Sequence, residues 1–201
     1  MSQTVQHHVK GLKLVDILVT IVIAVVFGIV YKLWSPVYYA VKPFGFQMDQ
    51  LVYGMYFIAS TVAYLIIRKP GVALLAEIGA ASAELITGSE WGLSVLVSGI
   101  VQGLFAELVF AAFRYRKFGL GVVCLAGIAA SIASIIMDLY YNYIDDLAVW
   151  NLTIMIIARA ISSIIITGVF AYYLVKALEL TGVTNLLRPV SKADYDALEN
   201  S

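Results

Sequence analysis

The chain has 201 residues, 62% of them hydrophobic, and a mean hydropathy of +0.92. A soluble domain is about 45–50% apolar, so this composition describes an integral membrane protein. Its 13 basic and 13 acidic residues cancel, which argues against nucleic acid as a partner, and the single cysteine, Cys124, excludes an internal disulfide or a cysteine metal cluster.

The N-terminal stretch Met1–Lys13 is polar and holds both histidines, His7 and His8. No small-residue cleavage signal follows the first apolar run, so that run is expected to be a retained span and not a signal peptide. A membrane helix needs about 20 mostly apolar residues, within a range of ~17–25. Six runs qualify: Leu14–Trp34, Leu51–Ile67, Gly71–Thr87, Gly92–Phe113, Leu120–Tyr141 and Leu152–Leu178. The expected fold is all-α: one multi-pass domain of six transmembrane helices in the cell membrane, ending in a cytoplasmic tail over 181–201. No convincing internal repeat is present, which weakens an inverted-repeat transporter reading.

Lysine and arginine in short loops set orientation. With the N-terminus inside, the inner segments hold Lys10, Lys13, Arg68, Lys69, Arg114, Arg116, Lys117, Lys176, Arg188 and Lys192. The outer segments keep Lys32 and Lys42 and add Asp49, Glu90, Asp145 and Asp146. Both termini are thus expected in the cytoplasm, below an acidic outer mouth. The outer stretch Ser35–Gln50 is rich in aromatics and reads as a long loop, either resting at the interface or covering a site.

The third and fourth runs, joined by the turn Gly88–Gly92, carry Glu77, Glu84, Gln102 and Glu107. An ionisable group in hydrocarbon costs roughly 2.5–3.5 kcal/mol on insertion scales, so each marks a protein interior or a functional cavity. Glu77 and Glu84, seven residues apart, share one helix face. Glu77 and Glu107 also have Arg68, Lys69 and Arg114 as possible pairing partners near the inner surface. Toward the outer side, Asp138 and Asn142 stand at i and i+4, Asn151 opens the sixth run, and Arg159 follows about two turns further. Trp91, Trp150, Tyr53, Tyr56, Tyr140, Tyr141 and Tyr143 surround this layer.

Aromatic rings with carboxylates and amides suit a small, planar, nitrogen-rich and cationic ligand, through stacking, cation–π contact and paired hydrogen bonds. Glu84 is the first choice for a ring nitrogen and its neighbouring amine, with Asp138 in reserve. Trp91 is placed to face a cation, with Tyr141, Asn142 and Trp150 opposite; Tyr53, Gln102, Glu77 and Asn151 complete the candidate set. An ordinary interfacial belt of Trp and Tyr, with Arg159 neutralising one buried carboxylate, would leave the same residues in place. On the first run, Thr20, Ala24 and Gly28 make a small-residue stripe that admits a second helix closely.

A Ser–His protease and a His-based metal site fail for want of a membrane-embedded histidine. No G-x-x-x-x-G-K-[ST] occurs, so any ATP drive must come from another subunit. No cofactor and no metal are expected.

Six short helices, a small-residue stripe on the first and no ATPase motif resemble the substrate-binding S components of energy-coupling factor (ECF) vitamin transporters. The chain is similar within that group to the YkoE family, in Tyr53-Gly54-Met55-Tyr56-Phe57-Ile58-Ala59, in Arg68-Lys69-Pro70-Gly71, in Glu84-Leu85-Ile86-Thr87-Gly88 with Trp91-Gly92, and in Gln102 to Phe110 with Arg114-Tyr115. The resemblance implies a thiamin-class substrate, either thiamin or its hydroxymethylpyrimidine precursor. It also implies no enzymatic activity of its own, and partnership with a transmembrane T component and two ABC-type ATPases. The family's helix-one alanine-x-x-x-alanine contact for the T component corresponds to Ala24-Val25-Val26-Phe27-Gly28, with glycine in the second place. A small ion-coupled carrier or membrane enzyme using Glu77, Glu84 and Asp138 is the contrasting expectation.

Overall fold

Apolar runs of this length have no water to satisfy their backbone, so they close their hydrogen bonds internally as helices. The computed structural model of the chain describes residues 11–144, 147–182 and 184. The expectations for His7, His8, Lys10, Asp145 and Asp146, and for the tail from 185 onward with Arg188 and Lys192, lie outside these residues. Among the described residues every regular element is helical: α1 (Leu14–Val41), a 3-10 stretch (Met48–Phe57) running into α2 (Ile58–Ile67), α3 (Val72–Ile86), α4 (Ser94–Ala112), α5 (Leu120–Tyr140) and a last rod. That rod joins α6 (Val149–Ser162) through a π-helical stretch (Ser163–Phe170) to α7 (Ala171–Leu180).

Five of these rods are long and apolar enough to cross a membrane. The third expected span is α3, whose 15 residues reach only about 22 Å at ~1.5 Å per residue, short of the ~30 Å hydrocarbon core. It survives there because α1, α2 and α4 enclose it. The first span outruns its expected end at Trp34 and continues through Pro36 to Val41. Ser35–Gln50 is therefore no long loop: after α1 come a single 3-10 turn (Lys42–Phe44) and the start of the next helical stretch at Met48. The third run opens one residue past its expected start: Gly71 is the N-cap of α3 and Val72 begins it.

All ten residues of α2 are buried, so the other helices are arranged around it. Ile58, Val62, Leu65 and Ile66 form one apolar cluster with Tyr31 of α1, Val72 and Ala76 of α3, and Ala171 and Val175 of α7. On its other side, Tyr64 stacks on Phe110 of α4 with ring centroids 3.6 Å apart. Two carboxylates anchor helix starts from a neighbouring helix. Glu107 of α4 accepts from the backbone N–H groups of Gly71 (2.6 Å), Ala73 (3.0 Å) and Leu74 (3.2 Å), and so caps α3. A carboxylate at a partly buried helix N-terminus stabilises by up to ~2 kcal/mol, because it answers both the orphan donors and the helix dipole. Lys69, just before that cap, pairs with Asp16, which is buried on α1. The pairing of Glu107 with Arg68, Lys69 or Arg114 weighed from the sequence is thus replaced by a helix cap.

The small-residue stripe is not a free docking face. Thr20, Ala24 and Gly28 are buried with Tyr31, Ser35 and Tyr38 on one side of α1, and that side lies against α3. A Cβ on Gly28 would come within 2.4 Å of the Ala83 Cβ and 2.6 Å of the Ala80 carbonyl oxygen. The lipid-facing side of α1 instead carries Leu18, Val22, Val25 and Ile29. Small residues let two helices approach whichever helix the partner is, and here the partner is internal.

Gly28→Trp should therefore break the α1–α3 seam and lower the unfolding temperature of the detergent-purified chain. Overpacking of this kind costs at least about 1–3 kcal/mol. Val25→Trp, on the exposed side of the same helix, should leave that temperature nearly unchanged. Equal unfolding temperatures for the two variants would contradict the seam.

Candidate functional site

Near the C-terminal halves of α1 and α3, the helices part around a cavity of about 380 Å³. Tyr31 and Tyr38 of α1 line it, with Asp49, Gln50, Tyr53 and Tyr56 from the 3-10 stretch and Glu77, Ala81 and Glu84 from α3. Trp91 comes from the α3–α4 turn, Gly99 and Gln102 from α4, Asp138 from α5, and Met155 and Arg159 from α6. The volume suits a small organic molecule, at the lower end of the ~300–1,000 Å³ usual for ligand pockets.

One wall is an ion-pair cluster. Arg159, only 2% exposed, donates from Nε and Nη2 to the Gln50 Oε1 at 2.8 and 2.6 Å. Its Nη1 donates to the Ser134 Oγ at 2.9 Å and the Asp138 Oδ2 at 2.6 Å. The Tyr53 ring covers the guanidinium face at 3.9 Å. Gln50 is itself held, donating from Nε2 to the Asp49 Oδ2 at 2.6 Å. A planar guanidinium is suited to several fixed acceptors at once, so Arg159 ties α5, α6 and the 3-10 stretch together.

The 3-10 stretch and the α2 helix that continues it keep their place on the last rod through three further bonds. Gly54 N donates to the Ser162 Oγ (2.8 Å), the Thr167 hydroxyl donates to the Gly54 carbonyl (2.6 Å), and the Thr61 hydroxyl donates to the Thr167 carbonyl (3.0 Å). Only glycine fits at position 54, because a Cβ there would stand 2.6 Å from the Ser162 carbonyl oxygen.

The opposite wall is built on α3. Glu77 accepts from the Tyr31 hydroxyl (3.1 Å) and from the Ser60 backbone N–H (3.0 Å), while Ala59 N donates to that same tyrosine hydroxyl (3.0 Å). Ala59 and Ser60 lie in the first turn of α2, so Glu77 serves α2 as Glu107 serves α3. Glu84 accepts one bond, from the Ser89 hydroxyl at 3.0 Å onto Oε1. Its Oε2 has no hydrogen-bond partner among the described residues. Gln102, 6% exposed, has none for its whole carboxamide among them. An aromatic cluster lies beside these groups: Trp91 stacks on Tyr39 at 6.4 Å and meets Tyr38 edge-on at 6.1 Å and Tyr143 at 6.1 Å.

Of the residues expected from the sequence, the cavity gathers Glu77, Glu84, Trp91, Gln102, Asp138 and Tyr53. It does not gather Asn142, Tyr141, Asn151 or Trp150. The expected i, i+4 relation of Asp138 and Asn142 fails because α5 ends at Tyr140, and Asn142, at φ +56°, turns exposed into the connection. Tyr141 stands outside the lining and stacks on Tyr143, which belongs to it. Asn151 sits inside the first turn of α6, which begins at Val149, and Trp150 is 62% exposed. Asp49, Gln50 and Tyr38 were missed because Ser35–Gln50 read as a loop, and Tyr31 because it lies within the first apolar run. The visible signal was an Asp–Gln pair opening an apolar run, opposite a lone intramembrane arginine.

A family model described as ABC-type cobalt transport system, permease component, matches residues 15–133. A protein of Bacillus subtilis (strain 168) named as an HMP/thiamine permease, YkoE, is 39% identical over 177 residues, which is 88% of this chain and 89% of that protein. A solved structure described as an S-component of an ECF transporter superposes with a TM-score of 0.86 at 37% identity, covering 95% of this chain and 99% of that one.

Removing one member of a buried ion pair leaves the other charge uncompensated, at a cost of about 3–5 kcal/mol. Arg159→Met should therefore sharply lower thermal stability, and adding Asp138→Leu should recover most of the loss. A double variant no more stable than Arg159→Met alone would show that the pair is not the source of the effect.

Proposed function

The chain belongs to the S-component family of ECF transporters, and on that premise we propose that its cavity captures a thiamin-class ligand, thiamin or hydroxymethylpyrimidine, from outside the cell. S components are membrane-embedded binding subunits and not enzymes; they deliver a small molecule to a T component driven by two ATPase subunits. Lysine and arginine of the α2–α3 and α4–α5 connections would then face the cytoplasm, with the cavity toward the opposite, acidic side. We take residues 1–201 as one membrane domain.

The observation that carries the reading is Gln102. A buried polar group without a partner is unfavourable by about 1–3 kcal/mol, so an orphan carboxamide in a cavity wall is explained by a ligand that completes it. An aminopyrimidine presents a ring nitrogen beside an exocyclic amine. A carboxamide answers both, its N–H donating to the ring and its oxygen accepting from the amine, as glutamine does with adenine. Asp138, already held by Arg159, is poorly disposed for that role. The open oxygen of Glu84 and the face of Trp91 suit the cationic ring of thiamin. The name of the Bacillus relative points to the same ligand class.

The cobalt description of the family model supplies the second reading. Among the described residues no histidine or cysteine lines the cavity, and no group of three or more His, Cys, Asp or Glu is spaced to hold a metal. Imidazole and thiolate are what such a transition metal favours, so the lining fits an organic ring better.

Gln102→Leu should weaken thiamin or hydroxymethylpyrimidine binding at least about tenfold, the loss of a paired hydrogen bond to a buried group. The ligand-free protein should be no less stable, since the substitution removes an orphan. Titration by Trp fluorescence and a thermal scan check both halves. Unchanged affinity in a folded Gln102→Leu chain would remove Gln102 from the site, and tighter cobalt than thiamin binding by the wild type would favour the second reading.

A further inference from the structure

Cations and anions are distributed unequally around this cavity. Four carboxylates line it, from Asp49, Glu77, Glu84 and Asp138, against two cations, Lys42 and Arg159. Lys42 is exposed at the rim, whereas Asp49, Glu77 and Glu84 are buried. Arg159 is the cation that would ordinarily greet a phosphate, but it is already engaged. Of the five N–H donors on a guanidinium, four go to Gln50, Ser134 and Asp138. Its charge is balanced by Asp138 and its face is covered by Tyr53. An anion reaching this wall would have to displace the half-buried Asp138 carboxylate and the Gln50 carboxamide together.

We infer that the cavity selects the unphosphorylated ligand and rejects its phosphate esters, and that Gln50 and Asp138 set this specificity by occupying Arg159. The inference rests on the thiamin-class reading and extends it: both candidate ligands carry a free hydroxyl, and esterifying it adds a charge of about −1.5 to −2. That charge would sit among carboxylates in a site of low dielectric, where each like-charge pair several ångströms apart repels strongly. An otherwise identical molecule is thus turned away by the phosphate alone.

The test is a set of titrations on the purified full-length chain with four probes: thiamin, thiamin monophosphate, hydroxymethylpyrimidine and its monophosphate. The esters should bind at least about a hundredfold more weakly than the parent alcohols, the scale of two or more uncompensated charge contacts in a buried site. Gln50→Leu frees the Nε and Nη2 donors of Arg159, and should shrink that ratio by about tenfold or more. Asp49→Asn, which leaves Arg159 engaged and removes one buried negative charge, should shrink it to a lesser extent. Esters within tenfold of the alcohols in the wild type would overturn the inference while leaving the thiamin-class reading standing. So would a ratio that neither folded variant changes. If neither parent alcohol binds the wild type, the reading of the site falls and the inference falls with it.

Discussion

A guanidinium in the middle of an apolar bundle is the constraint on which this structure turns. Arg159 is almost wholly buried, and in hydrocarbon such a charge persists only with fixed partners. It takes them from two elements: Asp138 and Ser134 on α5, and Gln50 and the ring of Tyr53 on the 3-10 stretch. Each partner then has its own position determined. Gln50 must stand where a 3-10 geometry puts it, and that stretch must lie close enough on the last rod for Gly54 to meet Ser162 and Thr167. The buried charge thus ties together the elements that form this wall of the cavity.

The same logic governs the carboxylates, with a different partner. Glu107 is satisfied by backbone N–H groups at the start of α3, and Glu77 by one at the start of α2 together with the Tyr31 hydroxyl, and not by cations. Helix N-termini carry donors that have no partner within their own helix, so a carboxylate from a neighbouring helix resolves two problems at once. It also explains how α3 can be so short. Pinned at its start by Glu107 and packed along α1 and α4, it holds Glu77 and Glu84 at set depths on one face. A binding site built on packed helices in this way keeps its geometry without the ligand, which leaves the loops near Trp91 to adapt.

Much of this was readable in the residues. Apolar length alone located the helices, and polar residues within apolar runs located Glu77, Glu84, Gln102 and Asp138, because hydrocarbon makes every such residue conspicuous. What failed did so for definable reasons. A small-residue stripe states that some helix comes close, not which one, so Thr20, Ala24 and Gly28 were assigned to a partner subunit although α3 occupies them. Helical spacing holds only inside a helix, and Asn142 lies past the end of α5. Pro36 and its aromatic neighbours imitate a loop, yet α1 runs through them, and that error hid Asp49 and Gln50. The π-helical stretch has no signature in composition; it lies where α5 and the last rod come close, Gly127 against Ser163 and Gly168 against Cys124.

Identification of the molecule that the protein carries is the most direct test of this account. The full-length chain, purified gently from cells grown in rich medium, would be denatured and the released small molecules identified by mass spectrometry. The account predicts an unphosphorylated aminopyrimidine compound, thiamin or hydroxymethylpyrimidine, approaching one per chain. Release of a cobalt ion or cobalt-bearing compound, or of a phosphorylated metabolite in the same proportion, would contradict it.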